Sequence, residues 1–334
     1  MRLAAVITIG YLVVLPVIAW VFVFNQAAEQ ALLNVSYDPT RELWRDLNRA
    51  FREQYARETG KHISISQSHG GSSSQARAVI DGLEADVVSL ALWTDTDALR
   101  RNGLLANDWI ERLPNRSLPY SSTIVFVVRA GNPRNIRDWD DLLQPHVSVI
   151  TPSPKTSGNG KLSLLAACGA ALKRGGDEKA AFQYVAELYR HAPILDAGAR
   201  GSATTFAQKK IGDVHLTWEN EARLEVAESR GELDIVYPTW SIRAEPYVAV
   251  VDANVDRRGT RAAAESYLRF LYTDEGQRII AAHYFRPAND AFRDRTILPD
   301  VKLFGIETVA KGWHEAQEKF FGDGGVFDRI YERP

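Results

Sequence analysis

From residue 32 onward the apolar positions fall into a repeating rhythm. Leu32-Leu33-Asn34-Val35-Ser36-Tyr37 alternates as a strand does, and Asp38-Pro39-Thr40-Arg41-Glu42 then opens a helix with Leu43, Trp44, Leu47 and Phe51 on its apolar face. Asp38 or Thr40 can cap that helix, and Pro39 suits its first turn, where an N–H has no intrahelical acceptor. The spacing next predicts a strand over 62–67, a helix from about 73, a strand over 86–92 and a helix over 94–102. Strands alternating with helices in this way specify a parallel sheet covered on both faces.

The chain turns at Pro114 to Pro119 and a second series begins. Strands are expected at 123–128, 147–150, 211–218 and 233–237, with helices near 160–172 and 176–190. A further strand at 247–251 precedes amphipathic helices near 260–272 and 274–283. Two α/β lobes in sequence, joined by strands rather than by a flexible linker, imply a cleft between them. Ligands of such folds sit at the carboxyl ends of the strands.

The N-terminus changes the picture. Leu3 through Phe24 carries no charge, and Arg2 stands before it. About 20 apolar residues are enough to cross a bilayer, longer than the ~7–15 of a signal-peptide core. No clean small-x-small cleavage site follows. The segment reads as a signal peptide or an uncleaved anchor, with the remainder of the chain exported.

Composition mainly excludes. A net charge of −2 over 334 residues gives a nucleic-acid partner no electrostatic support. The single cysteine, Cys168, rules out an intramolecular disulfide framework and a cysteine metal cluster, and its apolar neighbours predict packing. The seven histidines show no metal-ligand spacing, so neither a metal nor a cofactor is expected.

Three glycine-rich turns stand where strands end. Ser68-His69-Gly70-Gly71-Ser72-Ser73 links a strand to a helix, as does Ser157-Gly158-Asn159-Gly160-Lys161, and Asp196-Ala197-Gly198-Ala199-Arg200-Gly201-Ser202 is the third. A helix N-terminus presents unpaired N–H groups and about half a positive charge, and therefore attracts anions. The second turn fails as a phosphate-binding P-loop: position 155 is Lys where glycine is required, and Leu162 follows Lys161. Trp218, at the end of a strand, adds one N–H donor beside a large apolar body. A serine hydrolase built on Ser72 or Ser157 with His69 would need a base that activates the serine, and no Gly-x-Ser-x-Gly elbow occurs. No catalytic residue is assigned, and the chain is read as a binder, not an enzyme.

Six ordered segments, LLNVSYDPTREL (32–43), QSHGGSSSQARAVIDGLEADVVSLAL (67–92), STIVFVVRAGNPRNIRDWDDL (122–142), VITPSPKTSG (149–158), LDAGARGSATTF (195–206) and IGDVHLTWENEA (211–222), carry a resemblance. With AEPYVAVVD (244–252) and YFRP (284–287), they resemble the periplasmic sulfate-binding proteins of sulfate/thiosulfate ABC importers, over residues 32–334. The resemblance implies a two-lobed periplasmic-binding-protein fold of type II, each lobe a mostly parallel sheet flanked by helices. It divides the chain into residues 1–31 as signal or anchor, 32–117 with 242–334 as the first lobe, and 118–241 as the second.

What the resemblance implies for the site is a set of neutral donors. The backbone N–H groups of Asp38, Ser72, Gly158, Asn159 and Ala199, the Ser157 hydroxyl and the Trp218 indole N–H would hold the ligand. His69, Gly70, Gly71 and Arg200 would support them without touching it. Asn159 departs from the glycine of many sulfate binders and matches the thiosulfate branch, whereas Trp218 matches the sulfate branch. The expectation is sulfate, with thiosulfate accepted, delivered by a periplasmic monomer to the permease of an ABC importer. A thiosulfate-preferring receptor, or an oxyanion sensor tethered through residues 3–24, are the alternatives.

Overall fold

The computed structural model describes residues 30–331. The apolar segment at 3–24, and the signal or anchor expected there, lies outside the described residues. Among the described residues no helix is long and apolar enough to cross a membrane.

The first half builds β1 (Gln30–Tyr37), α1 (Arg41–Thr59), β2 (Ile63–Gly70), α2 (Ser72–Ile80), β3 (Val87–Leu90) and α3 (Trp93–Arg101). β1 pairs in parallel with β2 and with β3. The amphipathic α1 buries Leu43, Trp44, Leu47 and Phe51, and ends at Gly60, whose φ of +68° only glycine adopts readily.

The chain then crosses to a second sheet through β4 (Tyr120–Arg129), β5 (Val149–Pro152), α4 (Gly158–Lys173), α5 (Glu178–Arg190), β6 (Ile194–Asp196), α6 (Ala199–Ala203), β7 (Val214–Trp218), α7 (Glu219–Glu228), β8 (Leu233–Val236) and β9 (Trp240–Ala244). β5 pairs in parallel with β6 and β7, while β4 runs antiparallel to β7, β8 and β9. α4 is apolar on every side and buried almost throughout, as befits a helix at the centre of a lobe. β10 (Tyr247–Val250) returns to the first sheet as an antiparallel edge on β3, and α8 (Asp252–Arg258), α9 (Arg261–Phe270) and α10 (Asp274–Ala282) cover it.

The end of the chain divides. β11 (Arg286–Pro287) pairs with the start of β4, at the junction between the lobes. β12 (Lys302–Phe304) then pairs with β9 in the second sheet, and α11 (Trp313–Ala316), the helical turn Gln317–Phe321 and α12 (Val326–Tyr331) place Ala316, Phe320, Val326 and Phe327 in the core around α4. The ring of Phe304 packs against Gly169 of α4: a methyl group there would come within 2.2 Å of it. Residues 242–334 therefore do not all stay with the first lobe. Residues 302–331 pack on the second, because α4 offers a smooth apolar surface there that the rhythm of the chain does not reveal.

Candidate functional site

One cleft of about 480 Å³ opens between the lobes at the carboxyl ends of β1, β2, β3, β5, β6 and β7. Asp38, Ser72, Ser157, Gly158, Asn159, Ala199 and Trp218 all line it, and so do Gly70, Gly71 and Arg200. His69 does not. It sits behind the wall on β2, with Nδ1 2.7 Å from Ser36 Oγ and Nε2 2.7 Å from Gln67 Oε1. Burial lowers its pKa, which keeps the imidazole neutral near pH 7.

Along the walls the side chains of Asp38, Ser72 and Asn159 are committed to other groups. Asp38 follows the end of β1 and turns its carboxylate outward to Arg41 Nη2 at 2.6 Å. Ser72 begins α2 after Gly71. Its hydroxyl donates to the buried Asp95 carboxylate at 2.5 Å and accepts from Ala91 N–H at 2.9 Å. Asp95 also accepts from Ser73 at 2.9 Å, and burial raises its pKa. These bonds fix the first turn of α2, whose N–H groups have no intrahelical acceptor.

Ser157 caps α4 by accepting from Gly160 N–H at 3.4 Å, which leaves its own hydroxyl hydrogen free to donate. Gly160 must be glycine, because a Cβ there would stand 2.5 Å from the Pro152 carbonyl oxygen. Asn159 follows within the helix, so its dihedrals are ordinary. Its buried amide donates to Thr217 Oγ1 at 3.2 Å and accepts from Ser163 at 3.0 Å, turned away from the cleft. Lys161, one turn into α4, also points away: its ammonium donates to Gln317 Oε1 at 3.1 Å.

The segment after Asp196, expected as a glycine-rich turn, forms the short helix α6 with Ala199 at its head and Gly198 as its cap. The indole of Trp218 closes the floor, its ring 5.6 Å from that of Tyr37.

The basic side chain of the cleft wall, Arg200, is already paired. Its Nη2 donates to Glu42 Oε2 of the first lobe at 3.0 Å, and its Nε lies 3.0 Å from Glu221 Oε2 of the second. Glu42 and Glu221 could not be found by their spacing in the chain, since only the closed cleft brings them to Arg200. The hydrolase arrangement does not form: both ring nitrogens of His69 are taken by Ser36 and Gln67, and the Ser72 hydroxyl is held by Asp95. Among the described residues no group of three or more His, Cys, Asp or Glu side chains is placed to hold a metal ion.

The cleft is thus lined by the heads of α2, α4 and α6, by Asp38 and by Asp196, whose Oδ2 is buried without a hydrogen-bond partner, and an Arg200–Glu42 contact spans it from lobe to lobe. The sequence profile of the bacterial extracellular solute-binding proteins matches residues 33–286. The chain is 50% identical over 310 residues to the thiosulfate-binding protein of Pseudomonas aeruginosa, covering 91% of this chain and 93% of that protein. It is likewise 50% identical over 311 residues to the sulfate-binding protein of Escherichia coli, covering 92% and 94%. Its fold superposes on the sulfate-binding protein SubI of Mycobacterium tuberculosis with a TM-score of 0.79 at 33% identity, covering 88% of this chain and all of that one.

Proposed function

This chain belongs to the family of bacterial extracellular solute-binding proteins, in its sulfate- and thiosulfate-binding branch, and from that premise we propose that it captures sulfate in the interlobe cleft and delivers it to an ABC importer. The observation that supports this reading is that one space between the lobes gathers the residues of the proposed donor set, while the arginine beside it is engaged by Glu42 and Glu221.

Sulfate near neutral pH is a dianion without a proton, and so offers acceptors only. A wall of donors satisfies it completely, and the dipoles of α2, α4 and α6 stabilise its charge without a cation in contact. Hydrogen phosphate brings a hydroxyl that must find an acceptor. In a buried wall of donors that hydroxyl stays unpaired, at a cost of about 1–3 kcal/mol.

Asp38, Ser72, Gly158, Asn159 and Ala199 give backbone N–H groups, Ser157 its hydroxyl and Trp218 its indole N–H. Gly70 and Gly71 let the chain approach, and His69 and Arg200 hold the walls in place. Thiosulfate, which differs by one sulfur, is accepted as a competing ligand. The protein acts as an exported monomer on the periplasmic side of the inner membrane. Its closed form presents the surface that the permease subunits read.

Calorimetric titration with sulfate, thiosulfate, molybdate and phosphate tests the reading. Tight 1:1 sulfate binding, displaced by thiosulfate and hardly by phosphate, is expected. Equal affinity for phosphate, or no sulfate binding, overturns it.

A further inference from the structure

Three residues before Trp218, His215 of β7 is fully buried and held at both ring nitrogens. Nδ1 lies 3.0 Å from Glu225 Oε2 on α7, and Nε2 lies 3.0 Å from Ser202 Oγ on α6. The same Ser202 oxygen is 2.9 Å from the carbonyl oxygen of Ala199, which opens α6 and lines the cleft. A row of carboxylate, imidazole and hydroxyl thus runs from the back of the second lobe to the wall of the anion site. It is not a hydrolytic triad, because Ser202 is fully buried and lines neither the cleft nor the cavity behind it.

With Glu225 as a carboxylate, the hydrogens of this row satisfy every contact only when the ring donates from both nitrogens. A neutral imidazole donates from one nitrogen only. With that hydrogen on Nδ1, facing Glu225, Nε2 accepts the Ser202 hydroxyl and the Ala199 carbonyl loses it. An imidazolium donates from both nitrogens, so Nε2–H turns to the Ser202 oxygen and the hydroxyl hydrogen is released to Ala199. One proton therefore moves the Ser202 hydrogen bond from the imidazole to the residue at the cleft.

Titratable and charged groups face the ring from three elements. From α7, Glu225 faces the ring with Glu221 one turn earlier, and the Oε1 atoms of both are buried without a hydrogen-bond partner. Both residues line a cavity of about 510 Å³ behind α6. From α6 comes Arg200, engaged by Glu221. From β4, Val127 is opposite His215, and Arg129 lies over the Phe206 ring that tilts against the imidazole.

We propose that His215 is a positioning residue for anion binding: its protonation, relayed through Ser202, fixes Ala199 at the cleft and puts a positive charge behind α6, so that sulfate binds more tightly as pH falls. The inference rests on the reading of the cleft as a sulfate site.

Sulfate titrations of the full chain between pH 5.5 and 7.5, in which range the ligand keeps both charges, test it. The series covers the wild type, Glu221→Gln to remove the neighbouring carboxyl, His69→Asn to remove the imidazole near the cleft, and His215→Gln and Ser202→Ala on the Glu221→Gln background. Affinity is expected to be about fivefold higher at pH 5.5 than at pH 7.5. That slope should persist in Glu221→Gln and His69→Asn, and vanish in the two double variants.

A flat wild-type profile, or a slope that survives His215→Gln, overturns the proposal alone. A wild type that binds no sulfate at any pH overturns the reading of the cleft and the proposal with it. Should the double variants fail to fold, the imidazole nitrogen shifts of the wild type decide. Proton uptake at His215 on adding sulfate supports the relay; one unchanged tautomer in the free and bound protein overturns it.

Discussion

Arg200 bridges the two lobes: its Nη2 is 3.0 Å from Glu42 Oε2 across the cleft, while its Nε is 3.0 Å from Glu221 Oε2 on its own side. The arginine is a strut between two carboxyl groups, not a counter-ion for the ligand. Arg200 and Glu42 are each partly exposed, and a pair of that kind contributes at most about 1 kcal/mol. Glu42→Gln should therefore raise the sulfate Kd by up to about fivefold, through faster release from a less firmly closed cleft. Stopped-flow release rates at low and high salt check this. The wild type should release faster as salt rises, and the variant should show little change. Equal rates in both proteins would mean that the strut is absent from the bound state.

Gly158 faces the first lobe so closely that an added methyl would sit 3.2 Å from the Ala91 Cβ. Its neighbours there belong to the other lobe, so they can give way only by opening the cleft. Gly158→Ala is expected to leave the thermal stability of the unliganded protein within about 0.5 kcal/mol, as for a substitution clear of the core. Sulfate affinity should fall about tenfold or more, because the donors no longer converge. Melting curves with and without saturating sulfate separate the two effects. A loss of stability without ligand would place the clash inside one lobe instead.

Trp218 carries the one side-chain N–H of the proposed donor set. Trp218→Phe keeps a ring against Tyr37 and removes that donor. Hydrogen bonds to charged groups contribute about 1.5–3 kcal/mol, so sulfate affinity should drop by roughly 10- to 150-fold. Calorimetry with sulfate and thiosulfate, side by side, shows whether the loss falls on both ligands. An unchanged sulfate affinity would remove Trp218 from the donor set.

The alternation of strands and helices and the cleft were legible because four of the six strands that end at the cleft are followed by a glycine or proline turn: Asp38-Pro39, Gly70-Gly71, Ser157-Gly158 and Gly198 announce themselves in the chain. Local signals of that kind survive folding. α6 was hidden, since Ala199-Arg200-Gly201-Ser202-Ala203 is five residues long and carries two turn formers; it is a helix through its packing on β5 and β7 and the Ser202–His215 bond. The residence of 302–331 on the second lobe was hidden for a related reason. It depends on Phe304 meeting Gly169, a contact across 135 residues that no periodicity encodes. Glu42 and Glu221 look like solvated helix residues until closure brings them to Arg200.

Glu221 permits the sharpest test of the electrostatics behind the cleft. It is almost fully buried, and burial pushes its carboxyl up to about 8 even against the pull of Arg200. In the unfolded chain the same group ionises near the ordinary 4.5. Between those pH values the folded protein holds a proton that the unfolded chain has lost, so this group's contribution to stability declines as pH rises from about 5 to about 8, by at most about 1.4 kcal/mol per pH unit. Glu221→Gln cannot ionise and lacks that slope. The variant should gain on the wild type steadily as pH rises from 5 to 8, in urea unfolding followed at intervals across the range. Parallel profiles with a constant offset would show the carboxylate ionised throughout and paired with Arg200, and the cavity behind α6 would then be a site of fixed charge instead of a reservoir for a proton.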